Sequence, residues 1–298
     1  MRVRLLFALA ALVALTALGD VARAGGVVAI SDGRIAQYRE ALGAAKELLK
    51  DAPVLDSNAG DLADQLKRAD PTVVLAIGQK ALQMAKSATP NLPIVYCMVL
   101  GAGASASRTV TGVKLEVAAG GQLEQLRQVN PGAKRVGVIY EPRTSGAFME
   151  DAVKAAGRLG LTLVSKPVSE AKEVRQALSD IAGSIDALWL MPDPRLITAE
   201  MFNFLLVFTL ERKIALFGFL DSFTQAGALA SVAPDYQEIG RRAGRLAAEL
   251  AAKPAETRLP VPSPSPSPGA LTVNLKTAKQ LGLDIPAGVL GKARQVYR

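Results

Sequence analysis

The chain has 298 residues, half of them hydrophobic, a formal net charge of +8 and a pI near 9.6. That composition can bury a sizeable core, and at ~100 to 200 residues per domain the length suits two lobes better than one small domain. Histidine is absent and Cys97 is the single cysteine, which excludes a Ser-His-Asp triad, a Cys-His pair, a histidine metal site and a disulfide.

Arg2 and Arg4 precede an apolar run from Leu5 to Leu18, and Ala22-Arg23-Ala24 follows. A basic start, a short apolar stretch and an A-x-A tripeptide read as a cleaved secretory signal, because the run falls short of the ~20 residues a spanning helix needs. Residues 1–24 are therefore expected to be removed, and no cysteine stands after the cleavage point to carry a lipid. The leader holds three arginines and one aspartate, +2 of the total +8, so +6 remains on the mature chain. These charges spread along helical stretches such as Lys46 to Lys50 and Arg241 to Arg245 without interleaved aromatics. Solvated helix faces explain them, and nucleic acid is not an expected partner.

From Gly26 onward short apolar runs alternate with segments of helical period, the signature of βαβ units around parallel sheets. Strands are expected at Val27 to Ile30, Val73 to Ile77, Pro93 to Val99, Arg135 to Tyr140, Thr162 to Lys166, Ala187 to Met191 and Ala215 to Phe219. Helical stripes run through Leu42, Ala45 and Leu49, through Val153, Ala156 and Leu159, and through Val174, Leu178 and Ile181. Met201 to Leu210 is nearly all apolar and is expected to be buried on most of its surface. Gly101 to Gly121 breaks the periodicity and reads as a crossover between lobes. Gly227 to Val232 reads as a strand returning to the first lobe, followed by a helix that Asp235 would cap. Pro260 to Pro268 repeats Pro-Ser, a stiff extended spacer.

The organisation expected is α/β: two Rossmann-like three-layer lobes with parallel sheets joined by hinge crossovers. Lobe one takes residues 25–113 with 229–256, lobe two takes 114–228, residues 257–270 form the spacer, and 271–298 could join either lobe.

In parallel sheets, ligands settle at the carboxyl ends of the strands, where loops and helix N-termini meet. The polar residues at those places are Ser31, Gln79, Tyr140, Thr144, Ser145, Asp193, Asp221 and Ser222, with Phe219 as a ring that could stack. Such a set suits a small zwitterion or polyol, hydroxyls and helix N-termini taking an anionic group and Asp a cationic one. Each residue also has a plainer reading. Ser31, Thr144, Ser145 and Asp221 are good N-caps, Asp193 between two prolines can shape a turn, and Phe219 alternates with Phe217 as a core residue does. Cys97, in an apolar strand, reads as a buried structural thiol. No spacing points to a metal site, a cofactor or a catalytic group.

The C-terminal third carries a recognisable string: Gly227-Ala228-Leu229-Ala230-Ser231, Asp235-Tyr236, Gly240-Arg241-Arg242-Ala243, Leu259-Pro260-Val261, and Asn274-Leu275-Lys276-Thr277-Ala278-Lys279-Gln280-Leu281-Gly282-Leu283 to Ile285-Pro286. Pro93-Ile94-Val95, Thr111-Gly112-Val113 and Arg135-Val136-Gly137-Val138-Ile139-Tyr140 precede it. In these residues, and over roughly Val27 to Arg298, the chain resembles the ABC-transporter substrate-binding proteins of the tryptophan/tyrosine-binding type, which share the type I periplasmic-binding-protein fold. The resemblance implies a periplasmic monomer that holds an amino-acid-like small molecule between its lobes by hinge closure, then hands it to an ABC permease in the inner membrane, with no cofactor and no reaction. It also implies Thr144, Ser145, Asp193, Asp221 and Ser222 as loop residues of the site. The chain departs from the family where Gly101-Ala102-Gly103 replaces an Asp-Pro pair and where Ser31-Asp32-Gly33 replaces a longer serine-rich loop. An alternative of the same fold is a ligand sensor or an interaction partner of a receptor or outer-membrane uptake system, and neighbouring genes would separate the two. An exported hydrolase lacks its nucleophile and base in this sequence.

Overall fold

A computed structural model of the chain describes residues 26–101, 106–193 and 195–298; the leader read over residues 1–24 lies outside them. The chain divides into two compact units: one holds residues up to Val99, the stretch ending at Gly112 and Gly240–Ser263, the other Leu100 with Gly101, Val113–Ile239 and Pro264–Arg298. Among the described residues no helix is long and apolar enough to cross a membrane.

The first unit is built from β1 (Val27–Ser31), α1 (Ala36–Lys46), β2 (Val54–Asp56), α2 (Leu62–Ala69), β3 (Val73–Ile77), α3 (Gln79–Ala88), β4 (Ile94–Cys97) and β5 (Val110–Gly112). The sheet is parallel throughout, in the order β2-β1-β3-β4-β5. Every residue of β1, β3 and β4 is buried, so these strands are covered on both faces, which is why they read as unbroken apolar runs. Cys97 is fully buried, and burial pushes its thiol up to about 12, as expected of a structural cysteine. The strands β2 and β5 fall outside the sequence expectation; each has three residues, and β5 lies inside the segment read as a crossover.

The second unit continues with α4 (Ala119–Val129), β6 (Arg135–Tyr140), α5 (Pro142–Leu159), β7 (Thr162–Pro167), α6 (Val174–Ile181), β8 (Ala187–Trp189), α7 (Ala199–Glu211), β9 (Ala215–Gly218), α8 (Asp221–Ala226) and β10 (Ala230–Pro234). After α9 (Tyr236–Ala252), which runs from this unit into the first, come β11 (Gly269–Asn274), α10 (Leu275–Leu281), α11 (Ala287–Leu290) and β12 (Gln295–Tyr297). The seven strands lie in the order β12-β11-β10-β9-β8-β6-β7, with the β10–β11 pair antiparallel and the other pairs parallel. Alternate residues feed two separate cores, Ala187, Trp189 and Phe217 into one with α4 and α5, Leu188, Leu190 and Leu216 into the other with α6 and α7. That alternation is the mark of a three-layer unit.

Two sequence readings are corrected. The strand at Ala230–Pro234 does not return to the first lobe: it pairs with β9 and β11 in the second sheet, and its continuation, α9, is the element that re-enters the first unit. Buried hydroxyls fix that pairing, since Thr224 Oγ1 donates to Ser231 Oγ at 2.7 Å and Thr272 Oγ1 donates to Thr224 Oγ1 at 2.8 Å. The second correction concerns α7, which buries Met201, Phe202, Leu205 and Thr209 but leaves Val207 56% exposed. Its half-buried Phe204 and Phe208 lie beneath the guanidinium groups of Arg175 and Arg212, at 4.1 and 3.7 Å from the ring centres. Cations thus cover a helix face that the sheet cannot. Val153 is likewise exposed, because α5 turns Met149, Ala152, Ala155 and Ala156 inward instead. The cap at Asp235 is present, its Oδ1 accepting from the Glu238 N–H at 2.9 Å.

Within the first unit α9 packs directly on α1. A Cβ added at Gly240 would stand 1.9 Å from the Ala41 carbonyl oxygen, so only glycine permits this approach. Gly240→Ala is expected to destabilise the protein by about 3 kcal/mol through overpacking, far more than the ~1 kcal/mol of helix propensity that alanine adds. Guanidinium unfolding checks this, and an unchanged midpoint would contradict the packing described.

Candidate ligand-binding site

In the second unit β6, β8, β9 and β10 lie side by side and parallel, so their carboxyl ends open on one edge of the sheet. A pocket of about 370 Å³ sits there. The segment after β6 supplies Thr144, Ser145 and Phe148 from the first turns of α5; that after β8 supplies Met191 and Pro192; that after β9 supplies Phe219 and Leu220; and β10 supplies Val232 and Pro234. Apolar walls with a few convergent polar groups are the general form of a small-molecule site.

One wall is held by an indole. Trp189 is buried on β8, its Nε1 donates to Gln122 Oε1 at 3.0 Å, and Gln122 Nε2 donates to the Val117 carbonyl at 2.9 Å. The Phe148 ring lies 5.9 Å from that of Trp189. Phe219 meets Phe223 edge-on at 5.1 Å.

The polar side is built on the N-terminus of α5. Glu141 is the cap, with Pro142 next, and its carboxylate accepts from the N–H groups of Arg143 at 2.9 Å and Thr144 at 3.0 Å. Those N–H groups, the Thr144 hydroxyl and the Arg195 guanidinium hold the Glu141 carboxyl below its ordinary range. Arg195 Nη2 donates to Glu141 Oε2 at 2.6 Å and to Thr144 Oγ1 at 3.1 Å, while the Arg195 N–H donates to Asp193 Oδ1 at 3.0 Å. The Thr144 hydroxyl stands 2.9 Å from both Asp193 Oδ2 and Glu141 Oε2, yet has one proton to give. Glu141 and Asp193 are 5% and 4% exposed, so two buried carboxylates share one guanidinium and leave a net negative charge just behind Thr144. The positive end of the 18-residue α5 offsets part of it.

The pocket thus brings together Thr144, Ser145 and Phe219, with Asp193 one hydrogen bond behind Thr144. Tyr140 instead packs against the core. Asp221 pairs through Oδ2 with Arg294 and does not line the pocket, and Ser222 is exposed on α8. Ser31 and Gln79 end β1 and begin α3 in the first unit; Ser31 Oγ is buried without a hydrogen-bond partner, and Gln79 is exposed. Sequence reasoning passed over Phe148, Gln122 and Arg195. Phe148 was within reach, since it lies four residues after Thr144 and so on the same helix face. Nothing local marks the bonds of Gln122 to Trp189 and of Arg195 to Glu141, which span 67 and 54 residues.

The sequence model of the family described as ABC transporter substrate binding protein matches residues 45–297. The chain is 28% identical over 221 residues to a tyrosine-binding protein of Clostridioides difficile (strain R20291); the match covers 71% of this chain and 62% of that protein, less than two thirds of the relative's length. In fold it is similar to an ABC domain in complex with L-Trp from Streptococcus pneumonia, with TM-score 0.55 and 22% identity over 91% of this chain and 99% of that one. It is also similar to the ligand-free, open structure of a substrate binding protein with adhesive properties from Clostridium difficile, with TM-score 0.71 and 20% identity over 91% and 98% of the two chains. The two α/β units have the type I periplasmic-binding-protein fold of such proteins. With a match that runs over most of its length, the chain belongs to the ABC transporter substrate binding protein family.

Proposed function

We propose that the protein is exported by its leader, captures an amino-acid-like solute in the pocket of its second unit, and delivers it as a periplasmic monomer to an ABC permease of the inner membrane. The observation that carries this reading is the pairing of apolar walls with a polar corner of residual negative charge at Thr144 and Asp193. A ring of aromatic size rests between Phe148 and Phe219, and a ligand ammonium meets the Thr144–Asp193 corner. Ser145, 6% exposed and with a hydroxyl that has no hydrogen-bond partner among the described residues, donates through Oγ to the ligand carboxylate. The tyrosine-binding relative and the neighbour in complex with L-Trp support the choice of ligand class.

A thermal-shift screen of the chain from Gly25 onward against amino acids, nucleosides and sugars tests it. An aromatic amino acid at 100 times its Kd stabilises by about 2.7 kcal/mol. A shift confined to sugars or nucleosides would overturn the ligand class. Mass spectrometry of the exported protein is expected to find a chain that begins near Gly25, and a retained leader would contradict export by cleavage.

A further inference from the structure

A second chamber, of about 550 Å³, opens in the same unit along α4 and α5, and Phe148 and Glu116 line both it and the apolar pocket. The half-buried Phe148 ring is the bulkier of the two side chains that form their common wall. The chambers differ in charge. Among the described residues the inner one has the carboxylate of Glu116 as its only charged lining group, whereas the outer one adds Lys114, Lys154, Arg158 and Asp151. Lys154 lies 3.8 Å from Asp151, but Lys114 and Arg158 make no ion pair among the described residues. Three cations against two carboxylates leave the outer chamber net positive.

We propose that Phe148 is a partition within one ligand site, whose outer chamber accepts an anionic extension of a ligand seated by its apolar group in the inner one. This rests on the pocket of the second unit being the ligand site. A ligand long enough to pass the ring places its carboxylate among Lys114, Lys154 and Arg158, where pairing replaces part of its hydration. A shorter ligand leaves its terminal charge in the inner chamber, which has no cation among its described lining residues and where Glu116 opposes it. Phe148 therefore sets the ligand length at which a terminal charge changes from unfavourable to favourable.

Trp189 is the sole tryptophan and lies against Phe148, so its emission reports on this place. The probes are ω-phenylalkanoates from phenylacetate to 7-phenylheptanoate, each beside its uncharged primary amide, titrated into the whole mature chain. The acids are expected to gain at least tenfold in affinity over their amides as the linker lengthens, and Lys154→Gln with Arg158→Gln, both on an exposed helix face, is expected to abolish that gain. Acids and amides that bind equally at every length, or an acid advantage that persists in the double variant, would overturn the partition while leaving the inner pocket as the ligand site. If neither acids nor amides disturb Trp189, no apolar group seats itself in the inner chamber and the partition falls, while the thermal-shift screen with amino acids decides the ligand site separately.

Discussion

Asp193→Ala is expected to weaken binding of the best aromatic amino acid by roughly 2 to 5 kcal/mol, while Glu249→Ala, on an exposed face of α9, leaves it unchanged. Asp193 is 4% exposed, and its Oδ2 depends on a Thr144 hydroxyl that Glu141 also draws on, so this oxygen is short of a donor and is where the proposed reading puts a ligand ammonium. Removing the carboxylate deletes the only buried charge of the β8–α7 loop aimed at that hydroxyl. Calorimetry on the two variants measures the difference. If Asp193→Ala binds as tightly as the parent, the ammonium is anchored elsewhere and the amino-acid-like assignment fails.

Arg195→Ala is expected to lower the unfolding midpoint at neutral pH by roughly 5 °C, because it leaves Glu141 and Asp193 buried without their shared cation. The sign of its pH dependence follows from Glu141, whose folded carboxyl is held down chiefly by the Arg143 N–H and also by Thr144 and Arg195. A depressed carboxyl contributes stability above its unfolded pKa, and that contribution is lost as pH falls through the lower folded value. Without Arg195 part of the depression disappears, so the deficit is largest at neutral pH and closes below about pH 4, where unfolded glutamates protonate. Thermal unfolding from pH 7 to pH 3 reads this directly. A deficit that is the same at every pH would mean that Arg195 acts by packing rather than by charge.

What the sequence disclosed divides along a physical line. The strands β1, β3 and β4, buried on both faces, are apolar without interruption and were legible from composition alone. The strands β2 and β5 were not, since three residues such as Val54-Leu55-Asp56 are strands only through the neighbour they pair with. The strand read at Gly227 to Val232, observed at Ala230–Pro234, was placed in the wrong sheet: it pairs with β9 just before it and with β11, more than 30 residues later and beyond the Pro-Ser spacer, and pairing of this kind leaves no local mark. The rule of strand carboxyl ends named Thr144, Ser145 and Phe219, which line the pocket, and Asp193, which bonds to Thr144. It also suggested Asp221, which Arg294 claims from the far end of the chain. Local sequence can show where polar groups accumulate, whereas the pairing that leaves one of them free for a ligand is a property of the folded chain.

The most direct test of the account is a crystal structure of the chain from Gly25 onward grown with the aromatic amino acid that gives the largest thermal shift. The account predicts ligand density at the carboxyl ends of β6, β8, β9 and β10, with its ring between Phe148 and Phe219 and its ammonium toward Thr144 and Asp193. Density elsewhere, with the pocket in the second unit empty, would contradict it.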